Sequence, residues 1–223
     1  MPDITPTIDA RMLKVGNTWA GTVGDGVTAT SVQTSAAFHN AGINTIDLTA
    51  FNTTQVERFY LEFDTSGITV APQSATLKIY GKSSGAAGVI GVQASFASAG
   101  AIVVGDWDSW NEASPVNYTD SIAAGAWSTS GYNTFTLTAA ALSAMASLSE
   151  FQIIFLELDN DYDQTSAGSG LSHSSGYYTR NESGKEPTLT YTAAAADVPP
   201  PKMFTKVDGG SLKVNGGKVK IGE

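Results

Sequence analysis

Apolar and polar residues alternate along two stretches in the first half of the chain. In RFYLEF (Arg58–Phe63), Phe59, Leu61 and Phe63 interleave with Arg58, Tyr60 and Glu62; in TLKIY (Thr76–Tyr80), Leu77 and Ile79 interleave with Thr76, Lys78 and Tyr80. Side chains of a strand point alternately to opposite faces, so each stretch predicts a strand with one apolar face and one wet face. The intervening DTSGITVAPQS, with Gly67 and Pro72, predicts a loop. Two core strands of a sandwich are the expectation.

Further strands are expected at Ile43–Phe51, Val89–Ala97, Tyr132–Thr138 and Thr188–Thr192. FQIIFLELD (Phe151–Asp159) is apolar at nearly every position, which suits a strand covered on both sides. TAAALSAMASLS breaks the alternation; Leu142, Met145 and Leu148 fall three apart and predict one short helix. The first 55 residues read as irregular, with short strands. Turn signals throughout complete the picture of an all-β, jelly-roll-type β-sandwich of roughly eight to ten strands over residues 1–192.

The character of the chain changes at AAAADVPPPK. Consecutive prolines impose a stiff, extended spacer, so residues 193–202 are expected to be a linker. Beyond it, residues 203–223 carry Asp-Gly-Gly and Asn-Gly-Gly between short β-prone runs, a pattern for a small β-meander. Such a unit is too small to be stable alone and needs a partner surface. Phe204, Val207, Leu212, Val214, Val219 and Ile221 are its candidate contact residues.

Composition narrows the chemistry. Charged residues make up only 15% of the chain against 42% hydrophobic, and cysteine is absent, which excludes disulfides, thiolate nucleophiles and cysteine-ligated zinc. The opening MPDITPTIDARMLKV lacks the apolar run of a secretory signal, so export by that route is not expected. No apolar run is long enough for a membrane span. Residues 201–223 carry five lysines against Asp208 and Glu223, while the rest of the chain has 7 basic and 19 acidic residues. A body of that sign repels phosphate, and nucleic acid is not an expected partner.

Catalytic parts are few. His39 and His173 lie far apart, outside any metal-ligand spacing, and the carboxylate pairs Asp106/Asp108 and Glu57/Glu62 sit in a turn-like loop and on a strand face. No catalytic residue and no enzyme activity are expected. Asp159, Asp161 and Asp163 alternate as at the start of a calcium loop, but Gln164 and Gly170 stand where an EF-hand needs Gly and Glu. These three aspartates are the candidate Ca²⁺ ligands of a looser structural site; no other cofactor is expected. The segment GDWDSWNEASPVNYTDSIAAGAW is long and aromatic, and Trp107, Trp110, Tyr118 and Trp127 are its candidates for stacking on sugar rings.

Residues from about 56 to 192 resemble the DNRLRE family of β-sandwich domains. The resemblance rests on RFYLEFDTSGI, SATLKIY, DWDSWNE, the FTLT–helix–FQIIFLEL succession and the closing SSGYYTRNESGKEPTLTYT, where Arg180, Glu182 and Pro187 stand at the family's terminal turn. It implies a rigid, often sugar-associated sandwich; it does not imply catalysis. The Lys- and Gly-rich tail on a cysteine-free sandwich also looks like bacteriophage virion proteins. That likeness implies localisation in a virion as capsid decoration, tail or fibre, other virion proteins as partners, and homo-oligomers assembled through residues 203–223. Host surface polysaccharide is the second partner class that these resemblances imply.

Overall fold

In the computed structural model, residues 2–23, 27–48, 51–85, 87–96, 102–166, 172–194, 211–214 and 217–220 are described. The chain divides into two units, residues 1–193 and 194–223.

Among the described residues, twelve strands build the body: β1 (Asp3–Ile4), β2 (Ile8–Gly16), β3 (Ser31–Gln33), β4 (Phe38–Leu48), β5 (Phe51–Asp64), β6 (Ser74–Ser84), β7 (Val89–Gln93), β8 (Asn117–Ile122), β9 (Tyr132–Thr136), β10 (Glu150–Glu157), β11 (Ser172–Tyr178) and β12 (Thr188–Thr192). Helix α1 (Ala20–Val23) is a single turn, and α2 (Ala139–Ser147) is the short helix that the sequence implies. The fold is all-β and sandwich-like.

The 14-residue β5 is the hub. One edge pairs with β2 along Thr54–Glu62; the other pairs first with β4 (Phe51–Glu57) and then with β10 (Phe59–Asp64). From β10 the layer continues through β7 to β8, and from β4 through β11 to the far end of β6. The near half of β6 pairs instead with β12 and β9, and β12 with β1, forming the second layer. A bridge between Thr119 and Leu137 joins the two layers along their other side. All these neighbours run antiparallel.

β6 changes layer at Gly81, where its register with β11 also shifts. A Cβ there would collide with the Ser128 carbonyl and lie 2.8 Å from the Asn133 amide and 2.9 Å from the Trp127 indole nitrogen. Only glycine lets the strand pass.

Between the layers lies the main core. Phe59, Leu61 and Phe63 of β5 meet Phe151, Ile153 and Phe155 of β10, with Leu77, Ile79, Phe135 and Leu189 opposite. Phe59 and Phe155 stack with centroids 4.3 Å apart. Helix α2 closes one end: the Thr138 hydroxyl caps it by accepting from the Ala141 N–H, and Ala141, Ala144 and Met145 are buried. Leu148 is 44% exposed, so the buried stripe of the helix differs from the Leu142–Met145–Leu148 spacing.

The expected wet face of β5 is not wet. Arg58 and Tyr60 are fully buried and Glu62 nearly so, because a second core covers them. Ile8, Ala10 and Met12 of β2, Ile90 and Val92 of β7 and Ile154 of β10 line it, beneath Phe96, Ile102, Trp107 and Trp110. The start of the chain is likewise more regular than its composition suggests: β2 runs for nine residues beside β5.

Unit 194–223 contains the hairpin β13 (Ser211–Val214) and β14 (Gly217–Lys220), antiparallel with Leu212 opposite Val219 and Val214 opposite Gly217. Phe204, Val207, Ile221 and residues 195–202 lie outside the described residues.

Candidate functional site

The second core is organised by a charge. Arg58 donates through Nε and Nη2 to the two carboxylate oxygens of Asp161 at 2.9 and 2.7 Å, and through Nη1 to the Trp107 carbonyl at 3.0 Å. Its guanidinium carbon lies 4.1 Å from the Trp107 ring centroid and 5.4 Å from that of Trp110. Burial pulls the arginine pKa down, but the adjacent carboxylate outweighs it and the net shift is upward. The Tyr60 hydroxyl donates to the same Trp107 carbonyl at 3.2 Å; burial raises its pKa. Strand β5 thus fixes the aromatic segment by charge, stacking and hydrogen bonds together.

This arrangement relocates the sequence candidates. Trp107, Trp110, Tyr118 and Trp127 are 0, 6, 2 and 5% exposed, so none presents an open ring face. Tyr118 stacks on Phe151 at 5.1 Å, and the Trp127 indole N–H donates to the Gly176 carbonyl at 3.1 Å. Asp161 belongs to Arg58, so the alternation of Asp159, Asp161 and Asp163 does not converge on one point; the other two are exposed. Residues Leu158–Tyr162 form a single wide helical turn capped by Glu157, whose carboxylate accepts from the Asp159, Asn160 and Asp161 N–H groups. Burial nonetheless raises the Glu157 pKa. Asp159 and the half-buried His173 approach this carboxylate, with ligand atoms within 4.8 Å of one another, but Glu157 is occupied as the cap.

The other carboxylates have structural partners too. Glu57 accepts from Arg11 at 2.9 Å, Glu62 from Thr7 at 3.0 Å and Gln152 at 2.9 Å, and Asp106 from the Val103 N–H at 2.8 Å. His39 is buried beside Asp9, with Nε2 3.8 Å from a carboxylate oxygen. Asp9 accepts from the Tyr177 hydroxyl and from the Arg180 N–H. Burial raises Asp9 to about 6 and lowers His39 to about 4. Arg58, Glu157 and the Asp9–His39–Tyr177 group gave no motif in the sequence; a lone arginine in an otherwise aromatic strand was their one visible trace.

The surface also carries an aromatic cluster and a cleft at Trp110. Tyr80 of β6, Tyr132 of β9 and Tyr178 of β11 form an edge-to-face cluster, with the Lys185 ammonium 3.9 Å from the Tyr178 centroid. Tyr132, at 42% exposed, is the most open of its rings. Beside the aromatic segment a cleft of about 230 Å³ opens between the end of β7 and residues 109–116, and Trp110 forms part of its wall.

Comparison with models of known protein families and with curated proteins finds no match for this chain.

Proposed function

We propose that the protein is a non-catalytic structural component of a bacteriophage particle (capsid decoration, tail or fibre). Its sandwich body is displayed, and its C-terminal unit attaches it to other virion proteins or to further copies. The observation carrying this reading is the division into a closed body and a small separate unit holding a two-stranded hairpin. An isolated hairpin is marginal in water, and strands added to a neighbour's sheet edge satisfy it. The resemblance of residues 56–192 to DNRLRE sandwiches supports a rigid body by analogy of fold. Light scattering on the full chain and on a chain cut at Pro199 tests it. An oligomer that becomes a folded monomer on truncation fits; an unchanged mass rules out self-assembly through the tail, and failure to bind particle proteins as well removes the reading.

A second reading is favoured by the cleft at Trp110: the body binds host surface glycan as a carbohydrate-binding module. Glycan-array binding by the full chain is its test, and a blank array counts against it.

A further inference from the structure

Four aromatic side chains stand in a row across four neighbouring strands. Phe38 of β4 is opposite Tyr178 of β11, and Tyr80 of β6 is opposite Tyr132 of β9. The Tyr80 ring joins the two pairs, with its centroid 5.9 Å from that of Tyr178 and 5.1 Å from that of Tyr132. Their chain neighbours His39, Tyr177, Ile79 and Asn133 are buried, so strand alternation turns all four rings away from the core. Phe38 and Tyr132 are 41 and 42% exposed, and Tyr80 and Tyr178 are half-buried. Three strand spacings of about 4.8 Å give the row a length of roughly 14 Å. The Tyr80 hydroxyl donates to the Ser130 carbonyl at 2.8 Å and the Tyr132 hydroxyl to the Gly184 carbonyl at 3.2 Å, which fixes these rings in advance of any partner.

Cations accompany the rings. The Lys82 ammonium lies 3.0 Å from the Phe38 centroid and that of Lys185 3.9 Å from the Tyr178 centroid, while Lys78 is exposed two residues before Tyr80. Lys185 has Glu182 at 3.9 Å, and Glu186 is the charge that, after burial, raises the Tyr132 pKa. Lys78 and Lys82 have neither an ion-pair partner nor a hydrogen bond among the described residues. The Lys82 ammonium is open to solvent. The chain carries a net charge of −9, but physiological salt limits the reach of remote carboxylates to about 8 Å. Beside the row the local lysines decide, and they favour an anion.

The surroundings favour a glycan over an acidic protein. Thr134 of β9 and Thr188 of β12 flank Lys78 in register, which puts hydroxyls next to the rings. A protein partner needs a compact patch of about 800 Å² per side. Four rings in single file, bordered by threonine, make a track instead. Flat aromatic faces suit the C–H groups of sugar rings laid along such a track.

We propose that this row binds an extended acidic polysaccharide, with its sugar rings packed along the aromatic side chains and its carboxylates paired with Lys82 and Lys78. Lys82 can turn from the Phe38 ring to a carboxylate, because its flexible stem carries a point charge and not a fixed fork. The inference rests on the glycan-binding reading, names its ligand class and gives it a site separate from the cleft at Trp110.

The test is array binding of the full chain to carboxylated bacterial polysaccharides and to their carboxyl-reduced forms, followed by calorimetric titration with the polymers that bind. The expected result is binding of at least one carboxylated polymer, weakened about tenfold by carboxyl reduction, by Lys82→Gln and by Tyr132→Ala. Lys82→Gln changes one solvent-open ammonium and keeps the proposal testable should Tyr132→Ala fail to fold. Array binding that either folded variant leaves unchanged overturns the site and leaves the glycan reading standing. Equal binding of the reduced polymers overturns the acidic class. Capture of an acidic particle protein through Lys82, with no carboxylated glycan bound, overturns the proposal in favour of a protein partner. A blank array overturns the inference together with the glycan reading.

Discussion

Arg58 and Asp161, 103 residues apart in the chain, meet as a two-pronged ion pair with neither side chain exposed to solvent. The pair joins the central strand to the turn after β10, while Arg58 also holds the Trp107 carbonyl. Removing Arg58 leaves the buried Asp161 charge uncompensated, and removing Asp161 leaves Arg58 only the longer ion pair to Glu112 at 3.8 Å. Arg58→Met or Asp161→Asn is therefore expected to cost about 3–5 kcal/mol in urea unfolding. Arg58→Met combined with Asp161→Leu should recover a large part of that loss, since a buried pair replaced by apolar groups is often neutral. Additive losses in the double variant would show that the two residues do not act as a pair.

Asp9 and His39 make opposite contributions to pH dependence. Asp9 is raised from 3.8 to about 6, so its stabilising contribution is complete below 3.8 and is lost as pH rises through 6. His39 is lowered from 6.5 to about 4, so its contribution is complete above 6.5 and is lost as pH falls through 4. Across pH 4–6 the folded chain keeps a proton on Asp9 while the unfolded chain keeps one on His39. The numbers bound are equal, and the two slopes nearly cancel. His39→Gln should uncover the Asp9 slope, a loss of about 3 kcal/mol relative to the parent between pH 4 and 6; Asp9→Asn should uncover a gain of similar size. Denaturant midpoints measured across that range decide it, and parallel profiles for parent and variants would refute the coupling.

Gly81→Ala is expected to be worse than an ordinary glycine replacement in a strand. The added methyl collides with the Ser128 carbonyl and presses on Asn133 and Trp127, which are themselves fixed. A loss at or above the upper end of the roughly 1–3 kcal/mol of overpacked cores is expected from thermal or urea unfolding. Gly67→Ala, with no atom near the added methyl, is the control and should be nearly silent.

Tryptophan emission reports whether the aromatic segment is packed. With Trp107, Trp110 and Trp127 buried and only Trp19 partly open, emission should be blue-shifted and weakly quenched by acrylamide. Red-shifted, freely quenched emission would contradict the second core.

What the chain displayed openly was alternation, and alternation says that two faces differ, not which solvent each one meets. Phe59, Leu61 and Phe63 were legible as core for that reason. Arg58, Tyr60 and Glu62 were not, because their partners (Asp161, the Trp107 carbonyl, Thr7 and Gln152) come from distant segments that no local pattern reveals. SHSSGYY of β11 carries almost no apolar signal; it is a strand because β4 and β6 present edges to it. Trp110 stood out as an aromatic in a long loop, whereas its place in the wall of a cleft depends on Gln93 and Val116 from separate elements.

Strand β1 pairs with β12, setting Asp3 opposite Thr190, so the first and last strands of the body are neighbours. The second layer therefore cannot be completed until nearly the whole body has been synthesised. A ribosome adding roughly 5–20 residues per second makes unit 194–223 only after that, over a few seconds. On the proposed role of that unit, a chain terminated early lacks the means to assemble. One terminated before β12 also leaves the edge of β6 unpaired, a surface that invites aggregation. On that proposed role, an attachment element placed after the closing strand would restrict assembly to chains whose body can already be whole.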